Sequence, residues 1–309
     1  MIRFLGLCAR YGRLWLIAGL VVGIALPDLA VAMRPLIAPM VVFLLFLAVL
    51  RLGPEGVRAG LLGVRRAIGA VLVLQLVLPL VAVAGFAALG WLGEPLALGV
   101  VLMLAAAPIT GSPNLAIMAG AAPAPALRQL VLGTALLPLT ALPVFWFLPG
   151  FGSPAAVFGA VAELVVLILL AGGVALGLRV AGVVRGGART EAALDGWAAI
   201  TLGVVVVALM SAVGPALLDG GGFWAALGVA MVANLALQLG VSALSRRRAP
   251  AAAPAMGITA GNRNIALFLG VLPEDAVEIL LLFIGVYQIP MYLTPLLLTG
   301  WYRRMARQA

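Results

Sequence analysis

The chain has 309 residues, of which 65% are hydrophobic and 9% charged, with a mean hydropathy of +1.23. A soluble domain of this length has too little interior for so much apolar surface, and the long continuous runs lack the alternation of a barrel, so composition predicts an all-α polytopic membrane protein. Positive charge comes from 19 arginines with no lysine, histidine is absent and Cys8 is the single cysteine, which excludes an internal disulfide framework, Cys/His metal sites and a histidine-based catalytic relay.

Ten apolar runs reach the roughly 20 residues that a spanning helix needs. They cover residues 13–30, 34–52, 67–90, 95–119, 127–148, 155–180, 195–218, 222–244, 250–272 and 276–300. Arg3, Arg10 and Arg13 precede or open the first run, and no small-residue cleavage site follows. That pattern predicts a retained first helix, with no removable signal peptide. Connections are short throughout, and no linker or soluble domain is expected.

Charge alternates between successive connections. One set holds Arg34, Glu94, the uncharged Pro149–Pro154 turn, Asp219, and Glu274 with Asp275. The other set, with the two termini, holds seventeen of the nineteen arginines, among them Arg51, Arg58, Arg128, Arg179, Arg185, Arg246 and Arg303. The positive-inside bias then predicts both termini in the cytoplasm, at the inner membrane. Because the arginines fall in alternate loops and not on one stripe, the pI near 11.3 reports topology and anionic-lipid contact, not nucleic acid.

Two runs break their own rule. Pro108, Pro113, Pro123 and Pro125 crowd the fourth run and its exit, which predicts a broken helix there. In the ninth run, Gly257-Ile258-Thr259-Ala260-Gly261-Asn262-Arg263-Asn264 puts amides, a hydroxyl and a guanidinium at membrane depth. An arginine there costs roughly 2.5–3.5 kcal/mol on insertion scales, so partners must satisfy it, and the default reading is a functional site.

The two interrupted runs match. Asn114, Ala116, Gly120 and Pro123 recur at identical spacing as Asn264, Ala266, Gly270 and Pro273, each set after an Ile-Thr pair (Ile109-Thr110 and Ile258-Thr259). Gln75 in the third run has a counterpart in Gln238 of the eighth. The unit is five helices, an odd number, so the second copy (151–309) inserts upside down relative to the first (1–150). Inverted repeats with matching interrupted helices point to a secondary transporter with its site near mid-membrane, where half-helix ends bind ions or charged groups.

Pro108-Ile-Thr-Gly-Ser-Pro-Asn114 together with Gly261-Asn-Arg-Asn264 resembles the bile acid:sodium symporter family over essentially the whole chain. The resemblance implies that the fourth and ninth helices cross at the centre. It also implies a core of helices 3–5 and 8–10, a panel of helices 1, 2, 6 and 7, and alternating access by motion of one against the other. Gln75, Asn114, Gly261 and Asn264 match family sodium ligands. The family's ninth-helix glutamate, however, falls at Thr259, the glutamine of that motif falls at Arg263, and a fifth-helix serine falls at or near Arg128.

A loaded family site carries one carboxylate and two sodium ions; here neutral Thr259 and permanently protonated Arg263 give the same net charge. The expectation is a carrier of small organic anions that is independent of sodium, with the Arg263 fork presented to a carboxylate; the alternative is a structural arginine bonded to carbonyls of the broken fourth helix. Without a coupling cation an inside-negative potential opposes anion entry by about 2.3 kcal/mol per charge per 100 mV, which favours efflux or exchange. Glu163, a carboxylate inside the sixth run, is the candidate for proton coupling. Asn114 and Asn264 are expected to cap half-helices as well as to meet ligand. Gln75 and Gln238 bond between helices or face the ligand. Thr110, Ser112, Thr259, Asn262 and Gly261 complete the candidate cavity, while Asn234, Gln288 and Tyr292 could line it without any signal that selects them.

The alternatives are a sodium-coupled anion symporter with a modified site and, further off, a channel, for which only one polar cluster is present where a pore needs several. A membrane enzyme lacks the necessary base or metal set, and no cofactor is expected. Substrate identity and oligomeric state have no signature in the sequence.

Overall fold

The computed structural model describes residues 2–149, 153–218, 220 and 222–307. Asp219 and residues 150–152 of the Pro149–Pro154 turn lie outside the described residues, as do the side chains of Arg3, Arg13, Arg66 and Glu274. Among the described residues every regular element is helical. Seven helices are long and apolar enough to cross a membrane, or eight if the bent pair Phe4–Arg10 and Leu14–Ala25 is one span. The chain is thus built as a polytopic, all-helical membrane protein would be.

α1 (Ile2–Arg10) precedes the first predicted run and turns 81° into α2 (Gly12–Ala25). The run does not reach residue 30 as one helix. Pro27 restarts it as α3 (Pro27–Ala32), because proline fits a first helical turn but offers no N–H to continue one. α4 (Ile37–Leu61) overruns the predicted end at 52, kinking where Gly53 takes φ +64° before Pro54. α5 (Val64–Leu72), a π turn (Val73–Val77) and α6 (Leu78–Ala88) make up the third run. The fourth is divided into α7 (Pro95–Ala105) and α8 (Ser112–Met118).

α9 (Pro123–Phe147) opens on Pro123. Pro123 and Pro125, expected to break the fourth run, instead sit in the first turn of α9, where the missing N–H groups have no helical carbonyl to serve. α10 (Pro154–Val180), α11 (Ala188–Leu218) and α12 (Gly222–Arg246) follow as long apolar helices. The ninth run is divided into α13 (Ala253–Gly261) and a 3-10 segment, Ile265–Gly270. α14 (Glu274–Leu297) and α15 (Thr299–Arg307) close the chain.

Helix packing is continuous through the molecule, with α9 lying against α4 and α10, and α14 against α11. α11 touches α1, α2, α3 and α4, and α10 lies along α4. α12 packs on α13 and α14, while α9 touches α5, α8 and α13. Glycines set the closest approach: a Cβ at Gly19 of α2 would stand 2.5 Å from the Gly203 carbonyl oxygen of α11, and one at Gly23 would stand 2.7 Å from that of Val207. Where lipid is as apolar as leucine, such close van der Waals contact replaces the hydrophobic drive between helices. One apolar cluster, including Leu209, Phe145, Phe268 and Phe283, runs through these contacts.

The arginine-bearing connections meet in pairs. Arg51 bonds Asp195 at the arginine-rich end of α4, and Arg179 reaches the Gly53 kink. Arg128 lies beside Gly63, and Arg303 lies beside Gly120. At the other end of α4, Arg34 donates through Nε to Ser211 Oγ (2.8 Å) and lies 3.8 Å from Glu278.

Candidate functional site

The two helix breaks satisfy one another. Pro108 has no N–H with which to continue α7, and the chain leaves the helix two residues earlier, at Ala106, with ψ 153°. Asn262 leaves α13 with φ −113° and ψ 93°. Buried amides and carbonyls freed by these breaks need partners, and each break supplies the other's. Ile109 N donates to Asn262 O (3.0 Å) and Asn264 N to Ala107 O (2.7 Å), an antiparallel bridge centred on Pro108 and Arg263.

Arg263 lies at this crossing and is 1% exposed. Its Nε donates to Ala260 O (2.8 Å) and its Nη1 to Ala106 O (2.9 Å). Ala260 is in the last turn of α13, and Ala106 caps the C-terminal end of α7. The guanidinium therefore spans two helix C-termini, each equivalent to roughly half a negative charge. No carboxylate is paired with it among the described residues. Two bonds to a charged group, at about 1.5–3 kcal/mol each, offset an insertion cost of roughly 2.5–3.5 kcal/mol. Arg263 Nη2 is buried without a partner among the described residues.

Beside the guanidinium stands a closed polar network. Tyr287 OH accepts from Arg263 N (3.1 Å) and donates to Gly261 O, which also accepts from Asn234 Nδ2. Asn234 Oδ1 accepts from Gln238 Nε2 (2.6 Å) and Thr294 Oγ1 (2.5 Å), and Tyr302 OH donates to Gln238 Oε1 (2.8 Å). Asn262 Nδ2 donates to Ile258 O (2.7 Å), while its Oδ1 accepts from Asn234. Gly261 permits this approach: a Cβ there would stand 2.7 Å from the Asn234 carbonyl oxygen and 2.4 Å from Gln238 Cγ.

Gln75 approaches from the π turn. Pro79 cannot donate to the Gln75 carbonyl, which is where the regular ladder gives way. Gln75 is buried, its Nε2 donates to Gly133 O (3.1 Å), and its Oε1 has no partner among the described residues. A Cβ on Gly133 would lie 2.4 Å from that oxygen and 2.9 Å from Pro108 Cδ, so Gln75 stands against the break. Ser112, one turn beyond Pro108, is fully buried with its hydroxyl likewise unpartnered.

The remaining candidates separate. Thr259 is buried and turns its hydroxyl back to Met256 O (3.0 Å), Thr110 is half-buried, and Asn264 is half-buried at the cap position of the 3-10 segment with no side-chain cap bond. Asn114 is exposed in the first turn of α8, and that helix also lacks a side-chain cap bond. The capping role expected of both asparagines is not seen; backbone pairing and proline already occupy those ends. Glu163 is exposed on the face of α10 that carries Val166 and Leu170, away from the crossing. Gln288 is buried and bonds within its own helix, to Ile284 O (3.2 Å).

Tyr287, Thr294 and Tyr302 belong to the site and escaped the sequence reading. Asn234, Gln238 and Ser242 carried a legible signal, a stripe at intervals of four on one face of α12, all three buried. For a metal ion, no cluster of three His, Cys, Asp or Glu side chains occurs among the described residues. The carbonyls best placed to receive a cation, Ala106 O and Ala260 O, are taken by Arg263. Compared with known proteins, the chain matches no family model and no curated sequence.

Proposed function

We propose that this chain is a secondary transporter of a small organic anion, and that Arg263 holds the place in which a symporter of the bile acid:sodium type binds its cation. The observation that carries the reading is the guanidinium lodged between the C-terminal carbonyls of α7 and α13. A mobile cation at two half-helix ends would accept the same two oxygens. A side chain that never leaves makes the charge permanent, so the crossing stands charged for a carboxylate without sodium. Arg263 Nη2, the one arm without a partner among the described residues, is the donor offered to the anion.

The same reading takes ten spans in two inverted five-helix halves, residues 1–150 and 151–309, with both termini in the cytoplasm of an inner membrane. Supporting it is the paired backbone of the two breaks, and the reading sets helices 1, 2, 6 and 7 as one group against helices 3–5 and 8–10. Substrate moves as one group rocks against the other. Counterflow in proteoliposomes tests it. A labelled monocarboxylate should enter faster against an unlabelled internal pool, at equal rates in sodium and choline buffers. Flux without trans-stimulation would mark a channel and sink the proposal.

One observation favours a sodium-coupled carrier as the second reading. Gln75 Oε1 and Ser112 Oγ are buried oxygens without partners among the described residues, and an alkali cation takes such oxygens. Uptake that stops when sodium is replaced by choline would decide for it.

A further inference from the structure

The kink of α4 opens a second site at the arginine-rich end of the molecule. A pocket of about 580 Å³ lies between the chain after Pro54, the last turn of α10 and residues 182–186. Arg58, Arg179 and Arg185 line it against a single carboxylate, Glu55, and none of the four is ion-paired among the described residues. The Arg179 guanidinium is seated by two glycines. A Cβ on Gly53, which is held at φ +64°, would stand 2.8 Å from Arg179 Nη2, and one on Gly186 would stand 3.1 Å from Nη1. Only residues without side chains leave room for it in that position.

The flank of this basic pocket is apolar. Val180 also lines it and is 76% exposed, and Val183 on the adjoining connection is 70% exposed. Both lie where the 27-residue apolar helix α10 ends, the level at which a bilayer passes from hydrocarbon to headgroup. A soluble anion gains nothing from bare valines beside three guanidiniums. A phospholipid carries both complements, a phosphate for the arginines and acyl chains for the valines. We propose that this pocket binds the phosphate headgroup of an anionic phospholipid, with its chains laid along Val180 and Val183. The site is independent of whatever the crossing carries.

Native mass spectrometry of the full chain, released from nanodiscs of mixed phosphatidylglycerol and phosphatidylcholine, provides the test. The native protein should retain phosphatidylglycerol in preference to phosphatidylcholine. Arg58→Gln with Arg185→Gln should lower that retention by about fivefold per arginine. If the pair alters the melting temperature, Arg185→Gln alone, on an exposed connection, should still give its fivefold loss. Val180→Ser with Val183→Ser should weaken retention of the lipid and leave competition by inorganic phosphate unchanged. Equal retention of the two lipids, indifference to the arginine variants, or displacement of the lipid by inorganic phosphate as readily as by soluble lipid would overturn the assignment.

Discussion

Gln75 and Gln238 are both buried amides beside the crossing, yet the structure treats them differently. Gln238 is closed in on all sides, bonded to Asn234, Thr294 and Tyr302. Gln75 makes one bond, to Gly133, and keeps a bare buried oxygen beside Pro108. The second half thus builds a rigid polar frame around Arg263, and the first half leaves capacity open. A saturated network specifies one geometry, whereas an unsatisfied buried group is costly unless something fills it. On this contrast the frame belongs to stability, and the open oxygen is an acceptor that a cation, not an anion, would fill.

The contrast can be broken by substitution, beginning with the largest effect. Arg263→Leu strips the partner from two buried helix-end carbonyls and should destabilise the protein by roughly 3–5 kcal/mol, as for a buried charge network that loses a member. Thermal melting in detergent would register this as the steepest fall of the series. A melting temperature within a degree of native would mean the guanidinium holds nothing together.

Asn234→Leu comes next. It removes partners from Gly261 O, Gln238, Thr294 and Asn262 Oδ1 at once, and a loss of about 2–4 kcal/mol is expected from four buried hydrogen bonds at roughly 0.5–1.5 kcal/mol each. Gly261→Ala follows, at about 1–3 kcal/mol, since α12 backbone must retreat from the new Cβ. Gln75→Leu sharpens the comparison from the other side: it forfeits a single bond, about 1 kcal/mol, and its melting curve should stay close to native. Equal stability losses for Gln75→Leu and Asn234→Leu would erase the distinction between frame and opening.

The breaks themselves were legible, because proline and a cluster of amides inside apolar runs have few structural readings. One partner of Arg263 was legible and the other was not. Carbonyls of the broken fourth helix are the structural alternative for the guanidinium, and Ala106 O is one of them, whereas Ala260 O belongs to the arginine's own run and has no side-chain signature. Asn114 and Asn264 show the opposite limit: identical spacing in the two halves leads to an exposed side chain in one and a half-buried one in the other. Spacing sets position along a helix, whereas burial depends on which neighbours the tertiary fold brings alongside. Tyr287 and Thr294 passed unnoticed because each sits in a largely apolar run, where a hydroxyl reads as ordinary packing, and Tyr302 because it stands beside Arg303 and Arg304, where it reads as part of a basic terminus. Their role emerges only when α14 and α15 lie against α12.

The central claim, that a fixed side chain occupies the cation's place, is most directly tested by melting the native protein in sodium chloride against choline chloride at equal ionic strength. A cation that binds the folded state raises its stability by RT ln(1 + [L]/Kd), so the expected result is superimposable curves. A sodium-specific rise in melting temperature, growing with concentration and absent in choline, would contradict the account.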